Sequence, residues 1–298
     1  MNERSAQPAL IGEIGLAAKS AVCIQVPPAA TGSIVTLYER DADRPMSPAS
    51  ITKLLTALTA LKVAKSKGAS LSDGVQVVSR DLVGGAGQNL LEGDRLSFHD
   101  SLANLLLASS NVTANAIART FGELLAEPRN CQGGDATQRF VTEMNSVAAD
   151  LGMKISRFLN PHGLAVRGQR SSARDLSLLT IECLKWPEIT RLWGLDTFNV
   201  TIAGNNARDL TVRSVLQDST RTSVGGGFLP QFRGGKSGSL YPSVFNLAAV
   251  SESVAGSLIL SVSLGSPTLK DRYADYLAMF RSGNAAASAG SLPRPSVA

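Results

Sequence analysis

Apolar and polar positions alternate with two different periods along this chain. Near the N-terminus, "AVCIQV" (21–26) and "SIVTLYE" (33–39) are β-rich runs separated by "PPAATG", which predicts a hairpin. "DADRPMSP" breaks that pattern ahead of a helix in which Ile51, Leu54, Leu55, Leu58, Leu61 and Val63 crowd most of the circumference. Such a helix belongs inside a core. From about 70 to 205 the pattern predicts short helices and loops. "SFHDSLANLLLASSN" has helical spacing with Ser97 or Asp100 as its cap and a break at Ser109–Asn111. "NVTANAIARTFGELLA" and "RFVTEMNSVAADLGM" continue as helices, the polar "EPRNCQGGDATQ" between them as a loop, and "SSARDLSLLTIECLKW" is a helix opened by Ser171 or Ser172.

Strand character returns in "QFRGGKSGSL", "SVFNLAAVSES" and "GSLILSVSLG", and "SPTLKDRYADYLAMFR" closes the ordered part as a helix. Residues 1–18 read as a leader or short helix, 19–282 as the main domain, and 283–298, small and polar, as a disordered tail. Strands from both chain ends around a helical middle fit one sheet carrying an all-helical insertion at about 70–205. The cleft between sheet and insertion is the natural binding place.

Composition narrows the function classes. The 298 residues are 44% hydrophobic and 18% charged, enough for a large core and too apolar for disorder. A net charge of +5 without Lys/Arg runs or aromatic-interleaved basic patches reads as a mildly basic soluble protein rather than a nucleic-acid binder. Such a surface also suits an anionic polymer. Cys23, Cys131 and Cys183 lack C-x-x-C spacing and read as buried thiols. His99 and His162 are far apart and without H-E-x-x-H context, so zinc hydrolysis is not expected. The N-terminus lacks the basic-then-apolar order of a signal peptide, and no stretch approaches the ~20 apolar residues of a membrane span.

Three short elements carry candidate chemistry. Ser50 and Lys53 stand three residues apart at a helix head, on one face, where the lysine reaches the serine oxygen. Apolar neighbours would desolvate that lysine and favour its neutral form, and the Ser50 N–H lacks an intrahelical partner. Alone, the pair equally describes a capping serine beside a surface lysine. Ser109-x-Asn111 places a hydroxyl and a carboxamide at a break between helices, which alone reads as a capping turn. Lys236-Ser237-Gly238 puts a cation and a hydroxyl on a strand, with a glycine that admits a ligand backbone. Alone, it is an ordinary glycine-rich edge.

Together and in this order, the elements match the S-x-x-K, S-D-N and K-T-G trio of class A β-lactamases and penicillin-binding proteins. "RPMSPASITKLLTAL" and "FLNPHGLAVRGQRSSARDLSLL" extend the likeness over about residues 19–282. The chain resembles the serine D-alanyl-D-alanine carboxypeptidases, the low-molecular-mass penicillin-binding proteins. The resemblance implies an α/β fold of the β-lactamase/transpeptidase-like kind, a mainly antiparallel sheet flanked by helices with an all-helical subdomain. It implies removal of the terminal D-alanine from peptidoglycan stem peptides through an acyl-enzyme, without metal or cofactor, and acylation by β-lactams. Ser50 would be the nucleophile, Lys53 its base, and Ser109 a proton relay. Asn111 would bind the peptide backbone, Lys236, Ser237 and Gly238 the substrate end, and the N–H groups of Ser50 and Ser239 the oxyanion. His162 reads as structural. Ser110, Val112 and Ser237 depart from the residues usual at their places. The family works outside the cytoplasmic membrane, and no anchor is visible. A β-lactamase and a non-catalytic penicillin sensor are the rival readings. The first needs a carboxylate for deacylation, and none lies between Asp150 and Asp175.

Overall fold

In the computed structural model, which describes residues 11–28, 33–126, 135–216 and 231–290, both chain ends build one antiparallel sheet. The hairpin β1 (Ser20–Val26) and β2 (Val35–Arg40) joins the meander β7 (Phe232–Leu240), β8 (Val244–Glu252) and β9 (Leu258–Ser266) in the order β2-β1-β9-β8-β7. β1 pairs with β9 along its whole length, Ser20 opposite Leu264 and Val26 opposite Leu258.

The two-residue period of the strands separates two cores. Val22 and Ile24, with Val250 and Val262, pack on one face against α1 (Thr52–Lys67) and α5 (Ala173–Cys183). Ala21 and Cys23, with Leu247 and Ala249, pack on the other against Tyr276, Met279 and Phe280 of α7 (Leu269–Gly290). Twelve of the sixteen residues of α1 are buried, as its all-round apolar sequence predicts.

The insertion is not all-helical. α2 (Phe98–Leu106), α3 (Asn111–Leu124), α4 (Ala136–Asp150) and the single-turn α6 (Pro187–Thr190) share it with a second sheet. That sheet runs β3-β4-β5-β6, from β3 (Gly74–Gln76), β4 (Asp94–Ser97), β5 (Thr197–Gly204) and β6 (Arg208–Arg213). β3 and β4 are three and four residues long, too short for alternation to register as a period. Ser97 and Ser172 are the capping residues, each accepting from the backbone N–H three positions on.

Two further expectations change at the ends. Residues 11–18 form no helix; Ile14 is buried in the α7-side core and the Ile11 N–H donates to Leu37. α7 continues through "GNAAASAG" to Gly290, beyond the expected boundary at 282. Alanine is the strongest helix former, and Ala287 is buried against the sheet. Cys23 and Cys183 are buried free thiols, their pKa values raised by desolvation, Cys23 to about 12. Cys131 lies outside the described residues. Among the described residues, no helix is long and apolar enough to cross a membrane.

Candidate active site

Ser50 lies in a 3₁₀ turn (Ala49–Ile51) that feeds α1, so the helix head is a tighter turn than the sequence implies. Two close approaches hold the turn. A Cβ on Gly238 of β7 would fall 2.7 Å from the Pro48 carbonyl oxygen and 3.0 Å from the Ser50 nitrogen. A Cβ on Gly163 would fall 1.9 Å from the Ala49 carbonyl oxygen. Only residues without side chains let the strand and the 153–171 loop both close on the backbone at Ala49 and Ser50. Ala49 itself adopts φ +49°, a left-handed conformation that costs an alanine about 1 kcal/mol and that the packing on both sides sustains.

Lys53, the second residue of α1, is fully buried. Its Nζ donates to Ser50 Oγ (2.9 Å), Asn111 Oδ1 (2.8 Å) and the His162 carbonyl oxygen (2.7 Å). The surface-lysine alternative is therefore gone. Asn111 opens α3, and its Nδ2 donates to the Gly84 carbonyl (2.9 Å), which fixes its Oδ1 toward the lysine. Burial, then the charge of Lys236, drives the Lys53 pKa well below its ordinary value.

A second pair faces this one. Ser109, at φ +58° between α2 and α3, accepts from Lys236 Nζ at 2.9 Å. Lys236 also donates to the Ser237 carbonyl oxygen (3.1 Å), and its pKa is lowered to about 7 by burial and then by Arg272. The break between the helices is pinned from below, because Asn104 Nδ2 donates to Thr113 Oγ1 and Asn89 pairs with the same amide.

Sequence reasoning missed Arg272. It sits near the start of α7, 2% exposed, its Nη1 donating to Ser239 Oγ (3.2 Å) and its Nη2 to Tyr273 Oη (2.8 Å). Its Nε is buried without a hydrogen-bond partner among the described residues. Nothing in "LKDRYADYL" singles it out from a surface helix, since its position comes from β7 lying alongside.

His162 serves the site through its backbone. Its ring is buried, its Nδ1 accepts from the Leu164 N–H (3.1 Å), and burial and the Lys53 charge lower its pKa to about 4. The loop around it is braced at several points: Asn145 bonds both backbone groups of Phe158, Gln169 Oε1 accepts from Leu159 and Asn160, and Thr56 Oγ1 donates to the Pro161 carbonyl. Asp175, at the head of α5, accepts from the Ile155 N–H and Ser156 Oγ.

The arrangement supplies a hydroxyl bonded to a desolvated amine, a second hydroxyl bonded to a buried cation, and a guanidinium beyond them. A family model described as D-alanyl-D-alanine carboxypeptidase matches residues 3–222. The chain is 31% identical over 183 residues to the D-alanyl-D-alanine carboxypeptidase DacF of Bacillus subtilis, covering 61% of this chain and 43% of that one. It is 31% identical over 161 residues to a D-alanyl-D-alanine endopeptidase of Pseudomonas aeruginosa, 54% and 46% of the two chains. It thus spans less than half the length of these curated relatives. The fold is that of the Streptomyces K15 DD-transpeptidase, with a TM-score of 0.77 at 21% identity over 92% of this chain and all of that one. Penicillin-binding protein D2 of Listeria monocytogenes, in its ampicillin-bound form, superposes with a TM-score of 0.68 at 23% identity over 91% and 99%.

Proposed function

We propose, from the premise that the chain belongs to the D-alanyl-D-alanine carboxypeptidase family, that it hydrolyses the terminal D-alanine from peptidoglycan stem peptides through a Ser50 acyl-enzyme. One observation carries the reading: Lys53 Nζ contacts Ser50 Oγ and two groups that can only accept. Once the amine is neutral, its two N–H bonds go to Asn111 Oδ1 and the His162 carbonyl. Its lone pair is then left facing the Ser50 hydroxyl. Burial favours that neutral form, and the geometry aims it.

In the first half-reaction, Ser50 Oγ loses its proton to Lys53 and attacks the scissile carbonyl. The Ser50 and Ser239 N–H groups take the developing oxyanion. Ser109, held by Lys236, gives its proton to the departing D-alanine amine and regains one from the protonated Lys53, which is thereby neutral again. Water then repeats the sequence on the ester. Lys236 and Arg272, two buried cations near Ser237 and Ser239, suit a substrate ending in a free carboxylate, which favours a carboxypeptidase. β-Lactams would acylate the same serine. Segment 151–174 offers no carboxylate to activate water behind a penicilloyl group, so release should be slow. The natural place of action is outside the cytoplasmic membrane.

The test is incubation with diacetyl-Lys-D-Ala-D-Ala, with free D-alanine measured beside a Ser50→Ala control, and nitrocefin turnover measured in parallel. Release of D-alanine that depends on Ser50, with slow nitrocefin turnover, is expected. Rapid nitrocefin turnover with an untouched peptide would make the protein a β-lactamase and overturn the reading.

A further inference from the structure

The chain holds 29 Lys and Arg against 24 Asp and Glu. Segment 151–174 contains five of the cations (Lys154, Arg157, Arg167, Arg170 and Arg174) and none of the carboxylates. Outside it the two signs are equal in number, so the whole +5 net charge resides in this one segment. Arg174 is spoken for, pairing with Glu39 (2.6 Å) and Asp43 (2.8 Å). The other four are exposed, and among the described residues none has a carboxylate within ion-pair distance. Asp175 is buried and committed to Ile155 and Ser156.

Arg157 and Arg170 are direct partners in an isolated antiparallel bridge, each backbone N–H donating to the other's carbonyl (2.8 and 3.0 Å). Like charges opposite one another across such a bridge repel. The bracing that holds this loop against Ser50 also keeps the two arginines in register, so the repulsion is built in rather than relaxed away. An anion between them removes it and gains bidentate contacts, which phosphate oxygens accept well.

We propose that the exposed cations of loop 151–174 form a docking surface for a phosphodiester polyanion, separate from His162 and Gly163, through which the same loop meets Lys53 and the Ser50 turn. A polymer fits better than a single ion. Two cavities, of about 520 and 330 Å³, are lined by other residues, and four exposed cations hold one small anion weakly but a repeating one additively. A lipid surface fits poorly, because Val166 is the only large exposed apolar side chain of the segment and interfacial binders present Trp, Phe or Leu. Nucleic acid fits poorly because the only aromatic side chain there besides His162, Phe158, is fully buried and leaves no stacking platform.

The experiment titrates fluorescently labelled poly(glycerol phosphate) with the full chain across a NaCl series, reading anisotropy. Four contacts predict log affinity falling against log salt with a slope of roughly −3. The Arg157→Gln/Arg170→Gln variant should halve that slope and weaken binding about tenfold or more at low salt. Its acylation by fluorescent penicillin should be unchanged, which also shows it folded. Unaltered polymer binding by the variant, or binding insensitive to salt, overturns the proposal. So does tighter binding of phosphatidylglycerol vesicles or single-stranded DNA than of the polymer. None of these readouts depends on D-alanine release, so the proposal fails or stands apart from the catalytic reading.

Discussion

Replacing Gly163 by alanine puts the smallest possible side chain where the loop meets the Ser50 turn. The added Cβ would lie 1.9 Å from the Ala49 carbonyl oxygen and 2.4 Å from its carbon, where ordinary contact begins at 3.4 Å. One side or the other must retreat by about 1.5 Å, and both are backbone. The glycine also sits at φ +89°, a conformation that costs an alanine about 1 kcal/mol. Overpacking against backbone adds about 1–3 kcal/mol. Gly152→Ala separates the two effects, because Gly152 has φ +78° and nothing within 4 Å of its added Cβ. Gly152→Ala should lower Tm by about 3 °C and Gly163→Ala by roughly two to four times as much. Only Gly163→Ala should also damage chemistry. A shift of this size carries the Ser50 N–H and Oγ with it, and a misplacement of about 1 Å can cost ~100-fold in rate. Differential scanning fluorimetry and stopped-flow acylation by a fluorescent penicillin measure both. A Gly163→Ala protein that acylates within about threefold of the parent rate, or melts with Gly152→Ala, would refute the claim that this contact positions the nucleophile.

Two further outcomes follow from the buried charges. His162 has its pKa depressed to about 4 against about 6.5 when unfolded, so the unfolded chain binds the extra proton between those values. Stability should therefore fall as pH drops from about 6.5 to 4, by up to about 3 kcal/mol, and His162→Gln should flatten that decline in urea midpoints; equal slopes would disprove it. Lys236→Gln removes a cation that lowers the Lys53 pKa, so the acid limb of the acylation rate should move to higher pH. KM should rise more for a peptide with a free carboxylate than for its amide, and an unmoved limb would show that the two lysines do not communicate.

The parts of the site that depend on local spacing were legible in the sequence. Ser50 and Lys53 meet because three residues make most of a turn, and Ser109 and Asn111 flank a helix break that the apolar pattern marks. The contacts that close the site were not. The His162 carbonyl acts as backbone, which no side-chain motif encodes, and Arg272 is defined by the strand it lies against rather than by its neighbours in the chain. The β3–β6 sheet escaped for a different reason: β3 and β4 are short, and "TFNVTIAGNNARDLTVR", whose alternation and Asn-Asn turn do read as a hairpin, sits inside a stretch dominated by helical periods. The helix through "GNAAASAG" shows composition misleading in the other direction, since small residues read as tail but propagate a helix that has a sheet to lie on.

The sheet order also sets a timetable for biosynthesis. β1 has β9 as its neighbour, Ser20 opposite Leu264, and Ser109 waits for a lysine 127 residues downstream. At ribosomal speeds of about 5–20 residues per second, β1 is made on the order of 10–50 s before its partner strand exists. The nascent chain thus carries Ser50 and Lys53 long before Lys236 of β7 and Arg272 of α7 emerge. On the proposed mechanism, a ribosome-bound fragment that stops short of β7 lacks both Lys236 and Arg272 and should be silent toward peptide and penicillin alike.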